Sequence, residues 1–140
     1  MAALVEQNGR FLVVEEETAA GLRFNQPAGH LDENESLIAA CVREALEETG
    51  CHVTPRALVG MYQWTVPAGD ITYLRFAFDC SLDQVEAGRQ LDDGIVAAHW
   101  LTLDALRATQ DRHRSPLVLQ CVEDWIAGRR FPLDIIRHDD

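Results

Sequence analysis

Residues 37–49 most limit how this chain can fold, because both ends of the segment carry helix signals. Ser36 can cap a helix at its start, and Gly50 can end it in the left-handed conformation that closes many helices. A helical wheel places five residues on one stripe: Ile38, Val42, Ala45, Leu46 and Thr49. Such a stripe predicts a helix face that buries against a sheet.

The same segment carries three glutamates within five residues, Glu44, Glu47 and Glu48. Their i, i+3 and i+4 spacing brings the carboxylates to neighbouring positions, and we expect all three to lie off the apolar stripe. Each like-charged pair costs about 0.2 to 0.5 kcal/mol, which a solvated face tolerates. Taken alone, the glutamates therefore favour an ordinary charged helix face, and only the surrounding sequence changes that interpretation.

Segments rich in β-branched and aromatic residues lie on both sides of the helix. Asn8-Gly9 predicts a tight hairpin turn within VEQNGRFLVVEEE, and PAGD predicts a second hairpin between strands at 57–66 and 71–80. AAHWLTL predicts a short last strand. DRHRSPLVLQCVEDWIAGRR predicts a closing helix that Ser115 can cap.

Composition narrows the possible chemistry. The 140 residues predict one domain over 1–140, and the formal net charge is −11. All 12 basic residues are arginine, which excludes a lysine nucleophile, a Schiff base and a P-loop lysine. The acidic balance argues against binding a nucleic acid polymer. We expect any partner to be a small molecule, and an acidic protein that acts on phosphates needs a metal.

The sequence also suggests where the protein works. It has no apolar run long enough to span a bilayer and no signal-peptide core, so we expect a cytoplasmic protein without membrane attachment. We expect a monomer, with a dimer as the alternative. Four scattered cysteines without a C-x-x-C pair predict buried, reduced thiols: Cys41, Cys51, Cys80 and Cys121.

The sequence around the glutamates matches a known motif at every invariant position. It reads Gly29, five residues, Glu35, seven residues, Arg43-Glu44, two residues, Glu47-Glu48, one residue and Gly50. This pattern resembles the Nudix box, G-x5-E-x7-R-E-U-x-E-E-x-G-U, where U is a bulky aliphatic residue. At roughly one in fifteen per position, a chance match is on the order of one in a hundred million per starting point. The U positions hold the smaller Ala45 and Cys51.

Resemblance to the Nudix family implies an α+β fold, an α/β/α sandwich with a mixed β-sheet between helices. The segments FLVVEE, NQPAGHL, QWTVPAG, LRFAF and RSPLV look like a bacterial subfamily of small Nudix phosphatases. That likeness implies hydrolysis of nucleoside di- and triphosphates and of hydroxymethylpyrimidine or thiamine pyrophosphate. The alternatives are a Nudix hydrolase of another nucleoside-diphosphate-linked substrate and a non-catalytic domain that senses a nucleotide.

The resemblance also implies roles for the residues of the box. Carboxylates on one rigid helix suit Mg²⁺, for which Mn²⁺ can substitute, and the implied ligands are Glu44, Glu47, Glu48 and the Gly29 carbonyl. Glu47 and Glu48 are also implied to be catalytic, with Glu47 either a ligand or the base that activates water; the position of the base differs among Nudix enzymes. Three residues of the box have implied structural roles. Arg43 holds a glutamate in place, Glu35 braces the loop onto the helix, and Gly50 closes the helix.

Five residues outside the helix complete the expected site. LDDG places Asp92 and Asp93 ahead of the last strand, where we expect one of the two to be catalytic and choose Asp93; a solvated turn is the alternative. His30 and Arg114 are candidates for binding a substrate phosphate, since Arg114 stands at a helix start. Trp64, on the strand MYQWTV, is a candidate for stacking on a substrate ring, with a core position as the alternative.

Overall fold

A six-stranded mixed β-sheet forms the centre of the protein. The structure, a computed structural model, describes residues 1–139. The strands are β1 (Ala2–Gln7), β2 (Arg10–Thr18), β3 (Gly21–Asn25), β4 (Cys51–Thr65), β5 (Thr72–Val85) and β6 (Ile95–Thr102). Their order is β3-β2-β1-β5-β4, and β6 pairs with β2. β1 pairs with β5 in parallel, whereas the other pairings between these strands are antiparallel.

Both predicted hairpins are present. Asn8 and Gly9 have φ values of 54° and 79°, as a tight turn between β1 and β2 requires. The β4–β5 hairpin closes through the Val66 N–H, which donates to the Ile71 carbonyl over 2.9 Å. The prediction that β4 begins at residue 57 is wrong, because β4 begins at Cys51. Three register shifts along β4 disturb the period-two pattern, and Pro55 lies at one of them. β3 was not predicted.

Helix α1 (Leu37–Thr49) has the predicted bounds. The Ser36 hydroxyl accepts the Ala39 N–H over 3.0 Å, and Gly50, at φ 73°, donates its N–H to the Leu46 carbonyl. Helices α2 (Leu103–Ala108) and α3 (Leu117–Ile126) follow β6. α2 was not predicted, and α3 is shorter than predicted. Within residues 1–139, no helix combines the length and apolar character needed to cross a membrane.

The sheet lies between two helical layers, as predicted. Buried side chains on one face form a core with α1: Ala3, Val5, Leu12, Cys41, Ala45, Cys51, Val53, Leu58, Phe78 and Cys80. Those on the other face form a core with α2 and α3: Leu4, Phe11, Val13, Phe24, Val59, Tyr62, Ala77, Leu106, Leu117, Cys121 and Val122. Neighbours along a strand belong to opposite cores, since strand side chains alternate. The four cysteines are free and buried, as predicted.

The predicted orientation of α1 is correct for part of the stripe, since Ala45 is buried and Ile38 packs against the core, but it is wrong for Glu44 and Glu48. Ala40, Cys41 and Ala45 are buried with Glu44 and Glu48, each glutamate being 8% exposed. Of the other predicted stripe residues, Thr49 is buried, whereas Ile38, Val42 and Leu46 are half-buried. Buried carboxylates need hydrogen-bond partners, and both glutamates have them. The two carboxylates therefore lie on the buried face of the helix and not on a solvated flank.

Candidate active site

Two carboxylates of the second half of α1 meet a third from the loop before β6. One oxygen from each of Glu44, Glu47 and Asp92 lies within 4.8 Å of the other two. A backbone bond brings the loop to the helix, since the Asp92 N–H donates to the Glu47 carbonyl over 3.0 Å. Asp93 is exposed and is not part of this group. Carboxylate oxygens gathered in this way are a donor set suited to a hard divalent cation such as Mg²⁺.

Glu48 lies near this group and is held by a different contact. Its Oε1 accepts the Ala28 N–H over 2.8 Å. Burial raises the pKa of Glu48 to about 8, and the negative charges of Glu44, Glu16 and Asp92 add to the effect. Burial likewise raises the pKa of Glu44. Burial thus disfavours the charged forms of both carboxylates, and a bound cation would favour them.

Arg43 connects the carboxylates to the loop before α1. Its Nε and Nη2 donate to the two oxygens of Glu35 over 2.7 and 2.9 Å, and these bonds lower the Glu35 pKa to about 2. Nη1 donates to Glu44 over 2.7 Å and to Glu47 over 3.2 Å. Nη2 also donates to the His30 carbonyl over 2.9 Å. One guanidinium thus fixes two carboxylates of the cluster and anchors the loop.

Gly29 lies directly against the cluster. A Cβ at this position would lie 2.1 Å from the carboxyl carbon of Glu44 and 2.2 and 2.4 Å from its oxygens. The Gly29 carbonyl accepts a hydrogen bond from the Met1 ammonium over 2.7 Å. Only glycine leaves room for the Glu44 carboxylate in its present place.

We expect Gly29→Ala to lower kcat/KM by about 100-fold, because a displacement of about 1 Å at a catalytic group can cost that much. The added methyl group must displace the Glu44 carboxylate, which is the end of a flexible side chain, so the melting temperature should change little. Gly128→Ala is the matched control. Gly128 has φ 84° with open space around its Cβ position, so that variant should lose stability and keep kcat/KM. Unchanged turnover in Gly29→Ala would contradict the importance of this contact.

A cavity of about 250 Å³ opens beside Gly29. It is lined by Met1, Glu16, Asn25, Ala28, Gly29, His30, Trp64, Tyr73, Leu74, Arg75, Arg114, Ser115 and Leu117. The three predicted substrate-binding residues, His30, Trp64 and Arg114, therefore lie around one space. The structure brings them together with Gly29 of the box.

One wall of the cavity is aromatic. Trp64 and Tyr73 face each other across the β4–β5 hairpin, with ring centroids 6.2 Å apart and planes at 17°. The His30 ring lies 6.5 Å from that of Tyr73. Trp64 is half-buried and packs against the core on the α3 side while lining the cavity. The core interpretation of Trp64 therefore holds in part, and its stacking on a substrate ring stays a prediction.

Four polar or aromatic residues of the cavity were not predicted: Glu16, Asn25, Tyr73 and Arg75. The pairing register of β4 and β5 would have identified two of them, Tyr73 and Arg75. Tyr73 pairs with Trp64, and Arg75 follows two positions later on the same face of β5. Aligning the two predicted strands across their turn would have found both. Nothing in the sequence identifies Asn25, which ends β3.

Comparison with known proteins agrees with the geometry. Residues 1–121 match the model of the NUDIX domain family. Phosphatase NudJ of Escherichia coli K12 is 36% identical over 136 residues, which cover 97% of this chain and 88% of that protein. A NUDIX hydrolase structure from Nitrosomonas europaea is 48% identical with a TM-score of 0.95, covering 99% of this chain and 94% of that one. A MutT NUDIX hydrolase structure from Burkholderia pseudomallei, 20% identical with a TM-score of 0.74, covers 88% of this chain and 93% of that one and supports the fold alone.

The family match includes the whole of α1, its glutamates and the loop that carries Gly29. The likeness to Phosphatase NudJ extends over nearly the full length of both proteins. The matched residues thus include Gly29, Glu44, Glu47 and Asp92. The chain belongs to the Nudix hydrolase family.

Proposed function

We propose that this enzyme is a Mg²⁺-dependent hydrolase of nucleoside di- and triphosphates and of small ring-bearing pyrophosphates such as hydroxymethylpyrimidine or thiamine pyrophosphate. One observation carries the proposal: the buried carboxylates of α1 lie beside a cavity with an aromatic wall and two arginines. Carboxylates suit the cation that a pyrophosphate requires, and an aromatic wall suits a ring. The likeness to Phosphatase NudJ supports the same class.

The residues present fit a divalent cation. Glu44, Glu47 and Asp92 would hold it together with Glu48 and the Gly29 carbonyl, and Mn²⁺ would be accepted by the same oxygen ligands. When bound, Mg²⁺ neutralises phosphate oxygens and lowers the pKa of coordinated water. We propose Asp92 as a metal ligand and give Asp93 no part in the site, because, of these two residues, it is Asp92 that belongs to the cluster.

The protein's own groups position the reaction and move the proton. The Ala28 N–H fixes Glu48 through Oε1, so Oε2 is the atom that we propose takes a proton from the attacking water. The water oxygen bonds to phosphorus, and the bridging oxygen leaves with the departing phosphate. Arg43 keeps Glu44 and Glu47 oriented throughout. Glu47 serves as a metal ligand next to the base.

The cavity volume bears on the substrate class. Pockets for drug-sized ligands occupy about 300–1,000 Å³, whereas this cavity measures about 250 Å³. A space of this size suits one ring and a short phosphate chain. It adjoins a wider cavity of about 790 Å³ that shares Trp64, Arg114 and Ser115, which leaves room for a larger leaving group.

Trp64→Ala should raise KM for a ring-bearing substrate by about 5- to 150-fold, since base stacking contributes about 1–3 kcal/mol. We expect kcat to change little, because stacking on a ring remote from the phosphates is uniform binding. KM for inorganic pyrophosphate should stay constant. The half-buried Trp64 should cost less stability than the roughly 3–5 kcal/mol of a fully buried one. A large stability loss with unchanged KM would place the ring elsewhere.

A substrate panel tests the proposed function. Product formation is measured by chromatographic separation, with Mg²⁺ and with EDTA, for nucleoside triphosphates, nucleoside diphosphates, hydroxymethylpyrimidine and thiamine pyrophosphates, a nucleotide sugar and a dinucleoside polyphosphate. We expect kcat/KM to be highest for the first four and product formation to stop in EDTA. Preference for the nucleotide sugar would favour the alternative substrate class. Absence of turnover on every compound would contradict the proposal.

A further inference from the structure

Arg75 has an unusual pair of partners for an arginine at the edge of an acidic site. Its Nη1 donates to the Gln26 side-chain carbonyl over 2.7 Å, and its Nη2 donates to the Asn25 side-chain carbonyl over 2.8 Å. Both partners are neutral amides, and both are buried. A guanidinium has five N–H donors, so at most three remain for a ligand. The side chain is half-buried and lines the cavity.

Gln26 fixes the orientation of the Arg75 guanidinium. Its side chain is 1% exposed, and its Nε2 donates to the carbonyl of Val118 in α3 over 2.7 Å. Because Nε2 is used in this way, Oε1 must point toward Arg75. A polar side chain buried to this degree needs partners on both atoms, and here it obtains them from α3 and from Arg75. Gln26 therefore holds the guanidinium at the cavity wall.

The charge of Arg75 distinguishes it from the other arginines near the site. Arg43 is bound by Glu35, Glu44 and Glu47, and Arg114 is paired with Glu16. Arg75 takes part in none of the ion pairs that residues 1–139 form. In a chain of net charge −11, this arginine carries a positive charge that carboxylates do not neutralise.

We propose that Arg75 binds a phosphate group of the substrate, and that Gln26 is its positioning residue. This inference rests on the proposed function for the statement that the ligand carries phosphates. A planar guanidinium donates two parallel hydrogen bonds to phosphate oxygens, and such charged bonds are about twice as strong as neutral ones. An anion entering the cavity meets Glu16 and the nearby Glu44 and Glu48. The positive charge of Arg75 would offset that repulsion.

The first experiment measures binding without turnover. Inorganic pyrophosphate in EDTA should raise the melting temperature of the wild-type protein, since a ligand that binds the folded state stabilises it. The shift should be absent in Arg75→Met and reduced in Arg75→Lys, which keeps the charge and loses the planar fork. Gln26→Met should also reduce the shift, and adding it to Arg75→Met should cause no further loss. Arg56→Met, on an exposed position of β4, is the control and should respond as wild type does.

The second experiment measures hydrolysis with Mg²⁺. In Arg75→Met, KM should rise about 10- to 100-fold for a nucleoside triphosphate and equally for inorganic pyrophosphate, given the contribution of hydrogen bonds to charged groups. This pattern differs from that of Trp64→Ala, which affects only the ring-bearing compound.

The two experiments separate this inference from the proposed function. If the wild-type enzyme hydrolyses nothing, the proposed function fails, while the melting shifts in EDTA still decide the role of Arg75. The same shift in wild type and in Arg75→Met, or no shift in wild type, would overturn the inference. A rise in KM confined to ring-bearing substrates would also overturn it, because Arg75 would then recognise the ring.

Discussion

Glu44→Gln and Glu48→Gln should each lower kcat/KM by more than about 100-fold. Loss of a residue that merely supports a metal ligand costs about 10- to 100-fold, and loss of a ligand should cost more. The folded protein should remain at least as stable as wild type in EDTA. Glutamine fills the same volume, and in both positions it removes a charge that burial disfavours.

The control for these variants is Glu17→Gln, since Glu17 is exposed on β2. Its kcat/KM should equal that of wild type. Each protein is assayed at saturating Mg²⁺ with its melting temperature recorded from the same preparation. Turnover near the wild-type rate in both Glu44→Gln and Glu48→Gln would show that the cluster does not carry the reaction.

Arg43→Met should reduce stability and activity together, in contrast to the glutamate variants. Removing one partner of a buried ion pair costs about 3–5 kcal/mol, and we expect about 2–3 kcal/mol here because the Arg43 side chain is 24% exposed. The loss leaves Glu44 buried and without its cationic partner. Activity should fall about 10- to 100-fold, the range for residues that orient metal ligands.

Arg89→Met separates a supporting role from a general effect of losing an arginine. Arg89 pairs with Glu86, and both side chains are about one-third exposed. Exposed pairs contribute about 0–1 kcal/mol, so this variant should show a small stability change and normal turnover. Equal losses of unfolding free energy in Arg43→Met and Arg89→Met, measured by urea unfolding, would contradict the claim that Arg43 stabilises the buried Glu44.

Local signals in the sequence predicted α1 well. The bounds of the helix agree with the structure because Ser36 and Gly50 act at its ends as their side-chain and backbone preferences require. The Asn8-Gly9 turn was also predicted from the backbone preferences of its own residues. These features depend on a few adjacent residues, which is why one sequence was enough to locate them.

The orientation of α1 depended on tertiary contacts and was not predictable in the same way. A hydrophobic pattern assigns Ile38, Val42 and Leu46 to the core and places glutamates outside. In the protein, Arg43 and the Ala28 N–H provide partners for Glu44 and Glu48, and the carboxylates can then be buried. The pattern contains no information about those partners, so it placed Glu44 and Glu48 outside although both are buried.

The residues contributed by other segments depended on long-range pairing. Asp92 reaches the cluster through one backbone hydrogen bond to Glu47, and no pattern within LDDG distinguishes it from Asp93. Arg75 reaches the cavity through the register of the β4–β5 hairpin. Register could be inferred from the turn, whereas the loop contact required the folded structure.

The effect of Mg²⁺ on the melting temperature tests the central claim most directly, because it reports metal binding at the cluster without any assumption about substrate. A ligand that binds only the folded state stabilises it by RT ln(1 + [L]/Kd), so Mg²⁺ should raise the melting temperature of wild type. The shift should be much smaller in Glu44→Gln and unchanged in Glu17→Gln. An equal Mg²⁺-induced shift in wild type and Glu44→Gln would mean that the ion binds elsewhere, and it would contradict the assignment of this cluster as the metal site.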